Sequence, residues 1–321
     1  MRSALRPLSR RLADAGHQAS APTVGRLLRQ LGYSRKANRK SREAGASHPD
    51  RNRQFEYLEA QRQAFLAAGQ PVISVDTNSV DTKKKELIGN FKNAGQTWCQ
   101  EAAQVNTHDF PQDALGRAVP YGIYDLQQNS GHLYVGTSGD TPEFAVTAIA
   151  RWWEEIGHAT YPQADHLLIL ADAGGSNGCR PQAWKAQLQS QLSDALGLSV
   201  TVCHYPTGCS KWNPIEHRLF SHISLNWAGV PLRDWETLLA YVRGTTTRSG
   251  LRVEAHLLAG GFETGKRVAR EVMKQLRLVH HEVCPRWNYT IHPRHDPSPS
   301  TECSGGSNVN PKTGSCFFTD P

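Results

Sequence analysis

The stretch Leu167-Leu168-Ile169-Leu170-Ala171-Asp172-Ala173-Gly174-Gly175-Ser176-Asn177 is an unbroken apolar run closed by an acid and two glycines. Such a run, apolar without alternation, reads as a strand buried on both faces, and the glycines after it read as a turn. Working downstream, a helix is expected over 180–196, a strand over 198–203 and a helix from about Asn213, opened by Asn213-Pro214. Upstream, Val72-Ile73-Ser74-Val75-Asp76 reads as a second buried strand. Strands over 121–124 and 132–135 flank the turn-forming Gln128-Asn129-Ser130-Gly131, and a helix over 144–156 follows Thr141-Pro142-Glu143. Three strands and then alternating helices and strands predict an α/β fold, a mixed sheet with helices on both faces.

The 321 residues, 38% of them apolar, suffice for a substantial core. No apolar run approaches the roughly 20 residues of a membrane span, and the basic start lacks the apolar core of a signal peptide. The seven cysteines (Cys99, Cys179, Cys203, Cys209, Cys284, Cys303 and Cys316) are odd in number and scattered, which suits a reducing compartment. A cytoplasmic protein without a membrane partner is expected.

The net charge of +7 is unevenly spread: residues 1–53 carry 13 Lys and Arg against three acids, a balance of +10, and the rest carries −3. A basic arm on a nearly neutral body points to a polyanion handled at one end. Within the arm, Leu5, Leu8, Leu12 and Ala15 recur at helical spacing and stop at Gly16. Val24, Leu27, Leu28 and Leu31 do so again between Ser20-Ala21-Pro22 and Gly32. Two short helices joined by a turn, with Arg26 and Arg29 on the second, predict a helix-turn-helix-like DNA-binding segment over 1–33. Residues 34–53, with Arg35 and Lys36, read as a basic linker. A helix through Phe55, Leu58 and Phe65 begins the main domain, 54–293, and a Pro-, Ser- and Gly-rich disordered tail is expected over 294–321.

Three acids sit where the sheet would expose them. Asp76 and Asp172 end strands, and Glu216 lies in the first turn of the helix opened by Asn213-Pro214. Strand ends and helix starts on one side of an α/β sheet converge on a crevice. Carboxylates gathered there repel unless cations neutralise them, and hard oxygen ligands select Mg²⁺ or Mn²⁺. Two such ions bracket a phosphorus centre, one activating the attacking oxygen and one stabilising the leaving oxygen. Taken singly, each acid also has a local explanation: a strand end, a turn before glycines, and a capping box in which Asn213 caps and Glu216 reaches back. Their joint order favours a metal site.

With these motifs in view, the chain resembles the Rhodopirellula-type DDE transposases of bacterial insertion sequences. The resemblance rests on 72–76, Lys83-Lys84-Lys85-Glu86-Leu87-Ile88-Gly89-Asn90, 171–177, Ser210-Lys211-Trp212-Asn213-Pro214-Ile215-Glu216-His217-Arg218-Leu219-Phe220-Ser221 and Trp287-Asn288-Tyr289-Thr290-Ile291. It implies a ribonuclease H-like catalytic core, two Mg²⁺ ions (Mn²⁺ as a substitute), and cleavage and strand transfer at element ends. It also implies a homodimer or higher oligomer on terminal-repeat and target DNA. The matching acids are the first-strand Asp, Asp172 and Glu216. A tandem copy, Ser74-Val75-Asp76-Thr77-Asn78 followed by Ser79-Val80-Asp81-Thr82-Lys83, leaves both Asp76 and Asp81 as candidates for the first. The intact apolar approach favours Asp76. The start, where a first helix is expected, reads as shortened, and 296–321 as an unrelated extension.

Lys83, Lys84, Lys85, Lys211 and Arg218 are candidate phosphate contacts, and Trp212 is expected to pack rather than stack on bases. The spacings of Cys203, Cys209, His217 and His222 do not suit zinc, and 174–178 lacks the Gly-Lys-Ser/Thr ending of a triphosphate loop. A nuclease that stops at hydrolysis and a DNA-binding protein with inert acids are the alternatives.

Overall fold

The computed structural model describes residues 5–33, 48–77 and 86–294, which fall into two compact units, 1–47 and 48–321. In the first unit, α1 (Leu5–Asp14) and α2 (Ala21–Gln30) form the expected helical pair. Ser20 caps α2 by accepting from the Thr23 amide at 3.4 Å, and Pro22 occupies the first turn, where its missing N–H costs nothing. Val24 and Gly25 are buried, and Arg26 and Arg29 are exposed.

In the second unit, α3 (Arg51–Ala67) leads into β1 (Val72–Thr77), β2 (Glu86–Ile88), β3 (Gly116–Asp125) and β4 (Ser130–Gly136). Then come α4 (Pro142–Trp152), capped by Thr141 and prolonged through a π-helical turn, Trp153–Gly157, into α5 (His158–Thr160). β5 (His166–Asp172) precedes α6 (Gln182–Gln187), which widens into a π-helical segment, Leu188–Asp194, before β6 (Ser199–Tyr205). A 3₁₀ turn, Ser210–Trp212, and a π-helical turn, Glu216–Phe220, lead into α7 (Ser221–Asn226). The chain continues with α8 (Trp235–Arg243), β7 (Arg252–Leu258), α9 (Arg270–Lys274), β8 (Leu278–His280) and β9 (Asn288–Ile291).

The strands form one sheet in the order β7-β4-β3-β1-β5-β6-β9-β8, with β2 beside β3. β1, β5 and β6 run parallel, while β3 is antiparallel to β1 and β4 antiparallel to β3. The inner five strands, β4-β3-β1-β5-β6, thus have the ribonuclease H-like order, with the chain's first strand at the centre. The alternation of β1 explains its sequence. Ile73 and Val75 join Phe144, Ile149, Trp152 and Trp184 in the core beneath α4 and α6, whereas Val72 and Ser74 face the other side. That side is covered by Leu58 of α3 against Val72, Leu168 and Leu170, and by Ile215, Leu219, Phe220 and Ile223 against Tyr124 and Leu133.

Several expected boundaries shift. α3 starts at Arg51, inside the expected linker, because the turn at 49–50 already launches a helix whose Gln54 is buried. Arg294, assigned to the tail, is tied down by two guanidinium hydrogen bonds to Asp194 Oδ2 (2.6 and 2.8 Å). β2, β7, β8 and β9 were not expected as strands. The remaining tail residues, 295–321, and most of the linker lie outside the described residues. No described helix is long and apolar enough to cross a membrane.

Candidate active site

Register brings the first two acids together. Ser74 lies beside Leu170 and Val75 beside Ala171 in the parallel β1–β5 ladder, so one further step sets Asp76 alongside Asp172 on the same face. Across β1, Asp76 is paired with Gly122 of β3. Over that glycine lies the segment carrying Glu216: a Cβ on Gly122 would stand 2.5 Å from Phe220 Cε1 and 2.9 Å from Ile215 Cδ1. The missing side chain lets the third acid's segment lie on the sheet.

Asn213 joins the three elements. Its Nδ2 donates to Asp172 Oδ1 (3.1 Å) and to the Val75 carbonyl (3.2 Å). Its Oδ1 accepts a short hydrogen bond from the Ser74 hydroxyl, whose oxygen in turn accepts from the Ile215 amide at 3.0 Å. Asn213 and Ser74 are both wholly buried. The capping box considered from sequence is therefore not what forms: the Asn213 side chain is directed to β1 and Asp172, and only its backbone carbonyl accepts from the Glu216 amide (3.1 Å).

Electrostatically the acids form one cluster. Asp76 is held well above the ordinary carboxylate range by burial first, then by the charges of Asp172, Glu216 and Asp140, with the Thr77 amide hydrogen bond opposing. Burial raises Asp172 against the hydrogen bond from Asn213, and burial followed by the Asp172 charge raises Glu216. Asp140 accepts from the Thr77 hydroxyl (3.3 Å). Among the described residues, no three His, Cys, Asp or Glu side chains form a closed metal-ligand set. The donor chemistry nonetheless fits a hard divalent cation: the cluster is oxygen-only, and its repelling charges are what such an ion would neutralise.

Behind the acids lies a buried support that sequence reasoning did not single out. His204 donates from Nδ1 to the Asp172 carbonyl (2.9 Å), and Tyr289, bonded by Trp184 Nε1 (2.9 Å), stands 3.4 Å from His204 Nε2. Gln54 of α3 exchanges hydrogen bonds with Asn288 (2.7 Å each) and donates to the His204 carbonyl (2.9 Å). The Trp287–Ile291 motif therefore braces the strand next to Asp172. The glycine-rich turn after Asp172 is tight: a Cβ on Gly178 would meet the Ala173 carbonyl oxygen at 2.8 Å.

Lys211 and Arg218 are exposed on either side of Glu216. Trp212 departs from expectation, because 54% of it is exposed, with the Phe55 ring at 6.0 Å and Lys211 Nζ at 5.5 Å beside it. It is the last residue of the 3₁₀ turn, after which Asn213 turns inward and the indole is left at the surface. Asp81, Lys83, Lys84, Lys85, Arg35 and Lys36 lie outside the described residues.

A sheet of this order with acids ending its first and fourth core strands belongs to the ribonuclease H-like class. The model of the Rhodopirellula transposase DDE domain matches residues 1–293, and the chain belongs to that family. No curated protein matches the chain. Among solved structures, it is similar to the Mos1 transposase paired-end complex with left transposon end at 12% identity and a TM-score of 0.44, over 75% of this chain and 65% of that one. The Mos1 mariner paired end complex with Mn gives 11% identity and a TM-score of 0.45, over 75% and 65%. The chain thus spans 65% of the length of those relatives.

Proposed function

We propose that the protein cuts and joins DNA at the ends of an insertion sequence, with Asp76, Asp172 and Glu216 as its catalytic and metal-holding acids. The observation that carries this reading is the Asn213 bridge, which ties the strand bearing Asp76, the carboxylate of Asp172 and the segment bearing Glu216 into one buried unit. A purely structural cluster gains nothing from keeping like charges adjacent in a site where each is pushed toward protonation. Asp76 is preferred over Asp81 because β1 runs unbroken through it, in register with Asp172.

Bound Mg²⁺, two ions with Mn²⁺ as a substitute, would supply the Lewis acidity that activates a water or 3′-hydroxyl and steadies the leaving oxygen. The chain's own groups do the rest. Asp76 and Asp172 present carboxylate oxygens from neighbouring strands, Asn213 keeps one oxygen of Asp172 turned toward it and the other available, and Glu216 closes the cluster from above. Lys211 and Arg218 neutralise phosphates beside it, with Lys83, Lys84 and Lys85 in the same role. Arg26 and Arg29, followed by Arg35 and Lys36, hold terminal-repeat DNA. Two copies join two ends, and hence a homodimer or higher oligomer assembles on DNA.

The test is strand transfer by the full chain with labelled element ends and Mg²⁺. Wild-type protein gives cut and joined products, and Glu216→Gln gives neither while retaining DNA binding. Normal joining by Glu216→Gln overturns the assignment, and cleavage without joining by the wild type makes the protein a nuclease.

A further inference from the structure

Beyond the carboxyl ends of the parallel strands β5 and β6 lies an open crevice of about 580 Å³. Its near wall is the turn 173–175, immediately after Asp172, and its far wall is formed by Thr207 and residues 284–287. Crevices at this end of parallel strands are where α/β sheets receive ligands, and the volume is that of a small-molecule site.

The lining chemistry differs from that of the carboxylates. The floor is aromatic: Trp287, 8% exposed, carries the His48 ring at a centroid distance of 4.7 Å. Cys179 and Cys284, both free thiols, extend the apolar surface. At the rim, Arg180 and Arg286 are exposed, and neither has a hydrogen bond or ion pair among the described residues. Asp50, 3.8 Å from His48 Nδ1, supplies a carboxylate acceptor on the His48 side.

Unpaired guanidiniums at the mouth call for anions, whereas an aromatic floor with an acceptor at its edge calls for a flat ring bearing amino groups. A nucleotide unit has both parts in that order, phosphate outside and base inside. A stacked duplex has not, since its bases are unavailable and its backbone has no use for an apolar floor. We propose that this crevice holds one unstacked nucleotide of the DNA strand passing the carboxylates, its base against Trp287 and His48 and its phosphates on Arg180 and Arg286. The inference rests on the DNA-processing role proposed above and adds a subsite to it.

The test uses full-length protein in EDTA, so that no chemistry occurs. The probes are a blunt duplex and the same duplex with a three-nucleotide 3′ or 5′ overhang carrying 2-aminopurine. One overhang is expected to bind about tenfold tighter than the blunt duplex, with its fluorescence quenched. An abasic residue at the 2-aminopurine position should remove that advantage. Arg180→Ser with Arg286→Ser, both exposed and remote from the core, should also remove it, while His48→Ala should weaken the quench. Equal binding of blunt and overhung duplexes, or an advantage untouched by the abasic probe and by the arginine pair, overturns the proposal. Because Glu216→Gln is expected to keep the preference, failed strand transfer with the preference intact strikes only the catalytic reading. Strand transfer without the preference strikes only the subsite.

Discussion

Asn213 Nδ2 lies 3.1 Å from Oδ1 of Asp172, and both atoms belong to a chain of hydrogen bonds that also contains the Ser74 hydroxyl and the Ile215 amide. One amide side chain therefore sets the geometry of two strands and of the segment that follows it. Its two donors and its acceptor are all used, which only Asn at this length can do.

Asn213→Ala is expected to lower strand-transfer rate by about 10–100-fold, the range for groups that orient a metal-holding side chain. Ser74→Ala should lower it as well. The double variant should be little worse than Asn213→Ala alone, because the two residues act as one unit. Rates from single-turnover assays, alongside melting curves in EDTA, check this, and additive losses would separate the two residues.

Gly122→Ala places a methyl group between Asp76's partner strand and the Glu216 segment, where Phe220 and Ile215 already stand. Overpacking of this kind costs about 1–3 kcal/mol, so the melting temperature should fall by several degrees. Strand transfer should fall further than the loss of folded protein explains. Unchanged activity in the folded fraction would mean that Glu216 tolerates displacement.

His132 is 3% exposed, its Nε2 meets the Ser130 hydroxyl at 3.1 Å, and its Nδ1 has no hydrogen-bond partner among the described residues, with Glu254 3.8 Å away. Burial, and then His256, push its pKa down from 6.5 to about 4. Unfolded chains thus take up this proton first. Stability is complete above pH 6.5, declines as the pH falls, and has lost up to about 3 kcal/mol from this group below pH 4. Urea midpoints at pH 7 and pH 5 should differ less for His132→Gln than for the wild type, and an equal difference would remove His132 from the acid response.

Arg26 and Arg29 are exposed on α2. If both meet phosphates, replacing them with Ser should reduce the slope of log affinity against log salt by about 2 for duplex DNA. Filter binding from 50 to 200 mM salt measures it, and an unchanged slope would move the contact elsewhere.

Much of this was legible in the chain itself. The apolar runs at β1 and β5, the caps at Ser20 and Thr141, and the acids at strand ends are local signals, because periodicity and capping depend on near neighbours. β7 carried an overlooked period-2 signal in Arg252-Val253-Glu254-Ala255-His256-Leu257, whereas β8 and β9 are too short to carry one. β7 alternates exposed and buried residues at a sheet edge, and β8 is three residues long and mostly exposed. The π-helical widenings in α4 and α6 were equally unreadable, since they answer to what the helix packs on.

The sequence by itself determined the α/β class, the helical pair of the basic arm and the acids Asp76, Asp172 and Glu216 as candidates, since each follows from residue type and short-range spacing. Only the tertiary structure decided that Asp76 and Asp172 are lateral neighbours and that Asn213 is a bridge and not a cap. It also decided that His204 and Asn288 stand behind the site, and that Arg180, Arg286 and Trp287 share a crevice. Those relations join residues from about 40 to more than 230 positions apart. Register across a sheet and the match of buried donors to acceptors come into being only when the strands meet.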